Sequence, residues 1–177
     1  MSNDILIYLL IGVGGLFFII VIAYLLLRKK MQSSGVREIQ KLRAGTEEKK
    51  FTQEQVQKLF LSVGWVSGQY PKRLHKALMN SSTVITAWDA NRLVGLVRVL
   101  DDSEMVAYMH YVLVDPEYQG CGIAGMMIGK VKEKYKNYLY LEIMPEESKN
   151  ASFYEKHDFQ VMPDGVAMQI CNFSDKR

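Results

Sequence analysis

The stretch Tyr118-Gln119-Gly120-Cys121-Gly122-Ile123-Ala124-Gly125 follows an apolar run, Met105 to Val114, and opens an amphipathic run, Ile123 to Lys136. This order predicts a strand, a glycine-rich turn and a helix. The first N–H groups of a helix have no intrahelical partner, and the helix dipole makes that end partly positive. Glycines let backbone N–H groups converge, because they carry no side chain and accept positive φ. The stretch therefore predicts a site for a phosphate or a similar anion.

Two common nucleotide-binding motifs do not fit this stretch. No Gly-Lys-Ser or Gly-Lys-Thr follows the glycines, which argues against a nucleoside triphosphate loop. Gly120, Gly122 and Gly125 have the Gly-x-Gly-x-x-Gly spacing of dinucleotide-binding folds. However, residues 115–119 separate them from the strand, where such a fold has a tight turn. Taken alone, the pattern also fits an ordinary glycine-rich loop.

Two motifs resemble those of the GNAT superfamily of N-acetyltransferases. Gln119-x-x-Gly122-x-Ala124, preceded by Leu113-Val114-Asp115-Pro116, is similar to its acetyl-CoA signature. Phe153-Tyr154-Glu155-Lys156-His157-Asp158-Phe159 is similar to its Phe-Tyr-x-Lys-x-Gly-Phe segment, and the resemblance extends from Val36 to Phe173. Asp158 stands where the superfamily usually has glycine. Since Asp tolerates left-handed backbone better than most residues, we expect that conformation at Asp158.

The resemblance implies an α/β domain with a GNAT-like mixed, mostly antiparallel sheet flanked by helices, and acetyl-CoA as co-substrate. The glycine-rich turn would bind the phosphates, and the pantetheine arm would extend along the central strand. A strand N–H of Val112, Leu113 or Val114 would meet the oxyanion that forms during attack. The implied acetyl-CoA-binding residues are Val112, Leu113, Val114, Gln119, Gly120, Cys121, Gly122, Ile123, Ala124, Gly125 and Tyr154. No metal site is predicted.

The amine acceptor also needs a base. An alkylammonium group with a pKa near 10.4 is only about one part in a thousand neutral at pH 7. The candidate bases are His110, Tyr111, Glu104 and Glu142. Many superfamily members have an acidic residue about where Tyr111 stands, so the usual base is absent, and the adjacent His110 has a suitable intrinsic pKa unless it is structural. The resemblance makes Tyr154 the acid for the leaving thiolate, with packing beside Phe153 as the alternative.

The remaining patterns predict alternating strands and helices. Thr52 and Gln55 have the spacing of a capping box, and Pro71 suits the first turn of a second helix. Between these helices, Trp65 and Tyr70 either line the acceptor pocket or fill the edge of the core. We predict strands at residues 36–42, 83–88, 93–100, 105–114 and 138–144, a closing hairpin of 159–162 and 166–173, and helices over 123–136 and from 146 to about 156.

Ile5 to Leu27 is an uncharged apolar run of 23 residues without proline. At about 1.5 Å per residue a helix of this length crosses a hydrocarbon core of about 30 Å. A cleaved signal peptide fits less well, because Asp4 and no basic residue precedes the run. We therefore expect a transmembrane anchor in residues 1–30, a short linker in 31–35 and an N-acetyltransferase domain in 36–177.

Charge places the predicted domain on one side of the membrane. Arg28-Lys29-Lys30 follows the apolar run, so the positive-inside rule predicts a single-pass protein with a cytoplasmic C-terminal domain. Residues 28–50 carry eight basic and three acidic residues, whereas residues 51–177 carry 14 and 15. The basic excess suits anionic lipid headgroups or a solvated linker, and it is not a nucleic-acid footprint. In this reducing compartment Cys121 and Cys171 should be free thiols.

Two functions therefore remain open. One is a membrane-anchored N-acetyltransferase that acts on a small amine or a protein amino group. The other is a catalytically degenerate acyl-CoA-binding module that serves as a sensor or an assembly partner. Tyr154 favours the first function, and the missing acidic base keeps the second open. The sequence does not identify the acceptor.

Overall fold

The computed structural model describes residue 22, residues 43–47 and residues 49–172. The chain divides into two units, Met1–Leu42 and Arg43–Arg177, and the second contains the described sheet. Except for Ile22, the predicted span Ile5 to Leu27 lies outside the described residues, as does the predicted first strand Val36 to Leu42. Within the described part of the chain, no helix is both long enough and apolar enough to cross a membrane.

The described part of the second unit contains five strands, four α-helices and three short 3₁₀ turns. The strands are β1 (Arg43–Thr46), β2 (Thr83–Asp89), β3 (Arg92–Asp101), β4 (Val106–Val114) and β5 (Tyr140–Ile143). The helices are α1 (Gln53–Ser62), α2 (Pro71–Met79), α3 (Ile123–Lys134) and α4 (Ala151–Glu155). The 3₁₀ turns are Val66–Gln69, Pro116–Tyr118 and Ser148–Asn150.

The strands form one sheet in the order β1-β2-β3-β4-β5. The first four strands pair antiparallel, and β5 pairs parallel with β4. A parallel pair needs a crossover, which here contains α3. This architecture confirms the predicted mixed, mostly antiparallel sheet flanked by helices.

Helices α1 and α2 cover one face of the sheet. The predicted capping box begins α1, because Thr52 N donates to Gln55 Oε1 at 2.8 Å and Gln55 N donates to Thr52 Oγ1 at 3.2 Å. Pro71 is the first residue of α2, as predicted. The buried cluster on this face comprises Phe51, Val56, Leu59, Phe60, Leu74, Leu78, Val84, Leu93, Leu96 and Leu113. Two hydrophobic helix stripes thus cover β2, β3 and β4 on this side.

Helix α3 covers the opposite face. The predicted stripe of Ile123, Met127, Val131 and Tyr135 is buried. The helix approaches β3 closely at Gly95, where a Cβ would lie 3.0 Å from Cε of Met127. A Cβ at Gly95 would require the side chains of Met127 and Ile123 to shift by a few tenths of an ångström, so α3 packs tightly over β3 at this position.

Strand β4 contains a β-bulge at His110. Arg98 pairs with Tyr111 and Val99 pairs with Met109, which leaves His110 as the extra residue. Alternation along β3 places Val99 on the same face as Gly95, so its partner Met109 also faces α3. Tyr111, beyond the bulge, packs against the cluster under α1 and α2. The extra residue therefore shifts the alternation by one: Met109 faces α3, whereas Tyr111 and Leu113 face α1 and α2.

The C-terminal part of the domain differs from the prediction. The helix expected from residue 146 is a short turn followed by α4, and residues 159–172 form no strand, so the predicted closing hairpin is wrong for the described residues. Only its turn is confirmed, with Gly165 N donating to Met162 O at 3.1 Å. Val166, Met168 and Ile170 are 83%, 88% and 89% exposed. Alternation indicates which side chains can share a face, but a strand also needs a partner, and among the described residues β5 pairs with β4 alone.

Candidate functional site

The glycine-rich turn forms an open cradle at the start of α3. Gly122 is the N-cap residue, and no side chain caps the helix there. Met126 N donates to Gly122 O at 3.1 Å, so the N–H groups of Ile123, Ala124 and Gly125 precede the first intrahelical bond. Gly120 and Gly122 have φ of +78° and +77°, and apart from their chain neighbours no described residue has an atom within 4 Å of a Cβ built on either one. The geometry fits an anion, because free donors and open space coincide at the positive end of the helix dipole.

Side chains from the β2–β3 turn hold the loop before the cradle. Arg92 bonds Asp115 Oδ2 at 2.8 Å and Glu117 Oε2 at 2.7 Å. The hydrogen bond to Asp115, and then that to Glu117, raises the pKa of Arg92. The hydroxyl group of Tyr118 donates a hydrogen bond to Asp89 Oδ2 at 2.7 Å. These bonds fix the chain that leads from β4 into the cradle.

The edge of β4 that faces β5 is open beyond the bulge. Pairing with β5 ends at Met109 and Ile143, so β5 does not pair with residues 110–114. Asp115 N donates to Val94 O of β3 at 2.8 Å, and alternation then directs Leu113 toward β3 but Val112 and Val114 toward β5. Val114 O accepts a bond from Gln119 Nε2 at 3.0 Å, which agrees with this direction. Of the three predicted oxyanion donors, Val112 and Val114 therefore present their N–H groups to the opening, and Leu113 does not.

Tyr154 of α4 lines a cavity of about 690 Å³ beside β5. The side chain is 9% exposed, and burial raises the pKa of Tyr154 to about 12. Glu142 and Tyr108 line the same cavity. Burial of Tyr108, and then the charge of Glu142, raise the pKa of the Tyr108 phenol. The predicted acid and one of the four predicted bases thus share one cavity.

His157 connects this cavity with the cradle. It lines the cavity, and a Cβ on Gly125 would lie 3.0 Å from its Cε1 atom. The next residue, Asp158, has φ +69°, which confirms the left-handed backbone expected at the position where the superfamily has glycine. Its carboxylate forms an ion pair with Lys132 of α3. The tight turn after α4 therefore brings the Tyr154 segment against the first turn of α3.

His110 and Tyr111 lie on the face of β4 that looks toward α1 and α2. Arg98 Nη1 lies 3.0 Å from His110 Nδ1. A guanidinium only donates, so Nδ1 must accept, and the neutral ring carries its proton on Nε2. Loss of solvent around the ring, and then the charge of Arg98, lower the pKa of His110. The lone pair that a general base would use is already engaged.

The other two predicted bases have different surroundings. The hydroxyl of Tyr111 lies 3.0 Å from Ser67 Oγ, and its ring packs edge-on against Phe60 with centroids 4.9 Å apart. Glu104 is exposed in the turn between β3 and β4 and does not line the cavity. Glu142 is therefore the candidate base that shares the cavity with Tyr154. Trp65 packs against the core cluster and lies 5.4 Å from Tyr111 between ring centroids.

Comparison with known proteins identifies the family. A family model described as the acetyltransferase (GNAT) family matches residues 48–159. The chain belongs to the GNAT family of acetyltransferases. It is 33% identical over 117 residues to ycf52 of Pyropia yezoensis, an uncharacterised N-acetyltransferase, across 63% of this chain and 67% of that protein. The corresponding protein of Porphyra purpurea is 31% identical over the same shares.

Solved structures agree with this assignment. A GNAT family acetyltransferase of Streptococcus pneumoniae TIGR4 is 25% identical and superposes with a TM-score of 0.63, over 74% of this chain and 98% of that chain. A probable acetyltransferase of meticillin-resistant Staphylococcus aureus is 24% identical with a TM-score of 0.66, over 73% and 98% of the two chains. The second likeness supports the fold alone.

Several functional features were not predicted from the sequence. Arg92, Asp89 and Arg98 were not identified, because their partners are distant in the chain and no local motif marks them. His157 was seen only as part of a motif. Both Cys121 and Cys171 are free, as predicted. Among the described residues no group of His, Cys, Asp or Glu side chains could hold a metal ion.

Proposed function

We propose that this GNAT family protein is a membrane-anchored N-acetyltransferase that uses acetyl-CoA and acetylates a primary amine. The observation that carries the proposal is the continuity of three features: the open cradle, the unpaired edge of β4 and the cavity of Tyr154. For a thioester that carries phosphates and an extended arm, the cradle can bind the phosphates, the edge of β4 can bind the arm, and the cavity can hold the thioester. Acetyl-CoA supplies the activated acetyl group, and the protein supplies binding, orientation and proton transfer.

In this proposal the cradle binds the phosphates through the N–H groups of Ile123, Ala124 and Gly125. The open edge of β4 hydrogen-bonds the extended arm in the manner of an added strand. The N–H of Val112 then donates to the carbonyl oxygen of the acetyl group, because it is the first donor beyond the bulge that faces the opening. A donor held in this way stabilises charge on that oxygen without reorganisation.

The amine proton passes to Glu142 in this scheme, directly or through one water molecule. His110 is a poorer acceptor, since a proton on Nδ1 would break the bond to Arg98 and bring two cations together. Tyr154 faces the leaving thiolate. With a pKa of about 12, the phenol is a weaker acid than a thiol, whose pKa is about 8.5. Tyr154 therefore stabilises the thiolate mainly by donating a hydrogen bond, and the final proton can come from water.

The test is Tyr154→Phe in the full chain, purified in detergent. Turnover is followed as thiol release from acetyl-CoA with a panel of primary amines. We expect turnover to fall by roughly a hundredfold, near the upper end for loss of a hydrogen bond to a charged group, while acetyl-CoA affinity changes little. Tyr138→Phe is the control, because it removes a phenol hydroxyl near the β3–β4 turn. Equal turnover in wild type and Tyr154→Phe, with chemistry rate-limiting, would assign Tyr154 to packing.

The second candidate function, an acyl-CoA-binding module without turnover, rests on the engaged lone pair of His110 and the absence of an acidic residue from β4. The same experiment separates the two functions. If acetyl-CoA raises the melting temperature, as mass action requires for a ligand of the folded state, but no amine supports turnover, the binding module is the better description.

The membrane location is also part of the proposal. It rests on the apolar run Ile5 to Leu27 and the basic residues that follow it. A single cysteine introduced at residue 2 of a cysteine-free chain should react with an impermeant reagent in intact cells, and a cysteine at residue 177 should react only after lysis. The opposite pattern would reverse the orientation, and extraction of the chain by carbonate would exclude the anchor.

A further inference from the structure

Arg98 is a half-buried cation without an anionic partner among the described residues. It lies on β3 and faces the α1 and α2 layer, opposite Tyr111. Its Nε donates to Ser81 Oγ at 2.8 Å, and its Nη1 donates to His110 Nδ1 at 3.0 Å. Arg92, by contrast, bonds two carboxylates. A buried charge usually has a counterion, so a guanidinium held only by neutral groups indicates a place for an anion.

The described neighbours of Arg98 are neutral, and His110 offers a further hydrogen-bond donor. The Cζ atom of Arg98 lies 5.4 Å from the ring centroid of Tyr111. This contact orients the cation but does not neutralise it. Because Nδ1 of His110 accepts from Arg98, its Nε2 carries a proton and is a second donor. Burial lowers the pKa of Arg98, as expected where no anion compensates for lost solvent. No described atom bonds Nη2 of Arg98, so one side of the planar fork is available to a ligand.

Glu142 lies on the same face of the sheet, two strands away. Tyr108 alternates with Ala107 and Met109, which are fully buried, so it points to the side away from α3. Tyr108 pairs with Glu142 in the parallel ladder and also contacts the ring of His110, with centroids 6.1 Å apart. A cation site and a carboxylate thus face the same layer, separated by roughly 10 Å between their strands.

We propose that Arg98 binds the carboxylate of the amine acceptor, so that the substrate is an amino acid whose reactive amine points toward Glu142. This inference rests on the proposed N-acetyltransferase function and names its substrate class. The guanidinium forms charge-assisted bonds with the carboxylate, which an amide of the same shape cannot match. The separation of the two strands favours an acceptor whose amine and carboxylate are several bonds apart.

The test compares ω-amino acids, from glycine to 6-aminohexanoate, with their primary amides in the full chain. For the best acid we expect kcat/KM to exceed that of its amide by roughly ten- to hundredfold, the range for a hydrogen bond to a charged group. Arg98→Met should abolish this preference, and Arg98→Lys should keep part of it. Arg73→Met, which removes an exposed arginine of α2, should leave the preference unchanged. Equal rates for acids and amides in wild type, or a preference that survives Arg98→Met, would overturn the inference.

A separate measurement covers the case in which no amine reacts. Calorimetric titration with N-acetyl-6-aminohexanoate and with its amide measures the anion site without turnover. Binding of the acid but not the amide, lost in Arg98→Met, supports the site even if the proposed activity fails. No binding of the acid to wild type overturns the inference. If Arg98→Met does not fold, Arg98→Lys and the wild-type comparison of acid with amide give the answer.

Discussion

Gly122→Ala tests the phosphate cradle directly. Gly122 has φ +77°, and within the described part of the chain only its own neighbours approach within 4 Å of a Cβ built on it. The methyl group therefore meets no protein atom, and its cost to folding is the left-handed backbone, about 1 to 2 kcal/mol. It does stand in the space through which a phosphate would reach the N–H groups of α3. Loss of one charge-assisted hydrogen bond costs about 1.5 to 3 kcal/mol, so we expect the Kd for acetyl-CoA to rise at least tenfold.

Gly64→Ala is a matched control for this experiment. Gly64 has φ +74°, and its built Cβ is equally open among the described residues, but Gly64 lies between α1 and α2. The two variants should lose the same free energy of unfolding in urea. Calorimetry with acetyl-CoA should then show weaker binding only for Gly122→Ala. If both variants keep wild-type affinity at equal loss of stability, α3 does not bind the phosphates through this turn.

Two further predictions concern stability. Gly129 is exposed within α3, and no described atom outside its own helix lies within 4 Å of its built Cβ. Gly129→Ala should therefore raise the free energy of unfolding in urea by about 1 kcal/mol. A lower free energy of unfolding would indicate a contact on that side of α3. The raised pKa of Tyr154 predicts that stability falls at alkaline pH. Between pH 10 and pH 12 the phenol stays neutral in the folded chain but ionises in the unfolded chain, so the stability that Tyr154 contributes is complete below pH 10 and is lost as the pH rises toward 12. Between pH 8 and pH 11, wild type should therefore lose about 1.4 kcal/mol more than Tyr154→Phe, and equal losses would mean that the phenol is solvated.

Features that depend only on residues close together in the sequence were predictable. A capping box needs only Thr52 and Gln55, and a helix stripe needs only apolar residues at helical spacing, so α1 and α3 follow from their own sequences. The turn before α3 was also predictable, because the glycines and the start of the amphipathic run are adjacent in the sequence. Asp158 belongs with these features, since left-handed backbone is a property of a single residue.

Features that depend on pairing were not predictable. The residues of the predicted hairpin alternate as a strand would, but no local signal states whether a neighbouring edge accepts them. The bulge at His110 depends on the register between β3 and β4. Arg92 and Asp115 are 23 residues apart, and Arg98 and His110 are 12 apart, so both contacts exist only because the sheet brings the strands together. Candidate bases could therefore be named from the sequence, but they could not be ranked.

The bulge in β4 allows this strand to carry one residue more than its partner strand while the pairing on either side continues. Side chains of a strand alternate with a period of two, so one additional residue inverts the inside and outside of everything that follows. The bulge prevents this inversion because it leaves His110 out of the ladder: Met109 and Tyr111 pair with the consecutive residues Val99 and Arg98, so they face opposite layers. Deletion of His110 would remove the bulge and leave Tyr111 and Leu113 on the side of α1 and α2, whereas regular pairing of His110 would turn both of them toward α3. In this strand, therefore, a change of length at position 110 is absorbed by the backbone, and deletion and substitution there would separate the effect of the bulge from that of the histidine side chain.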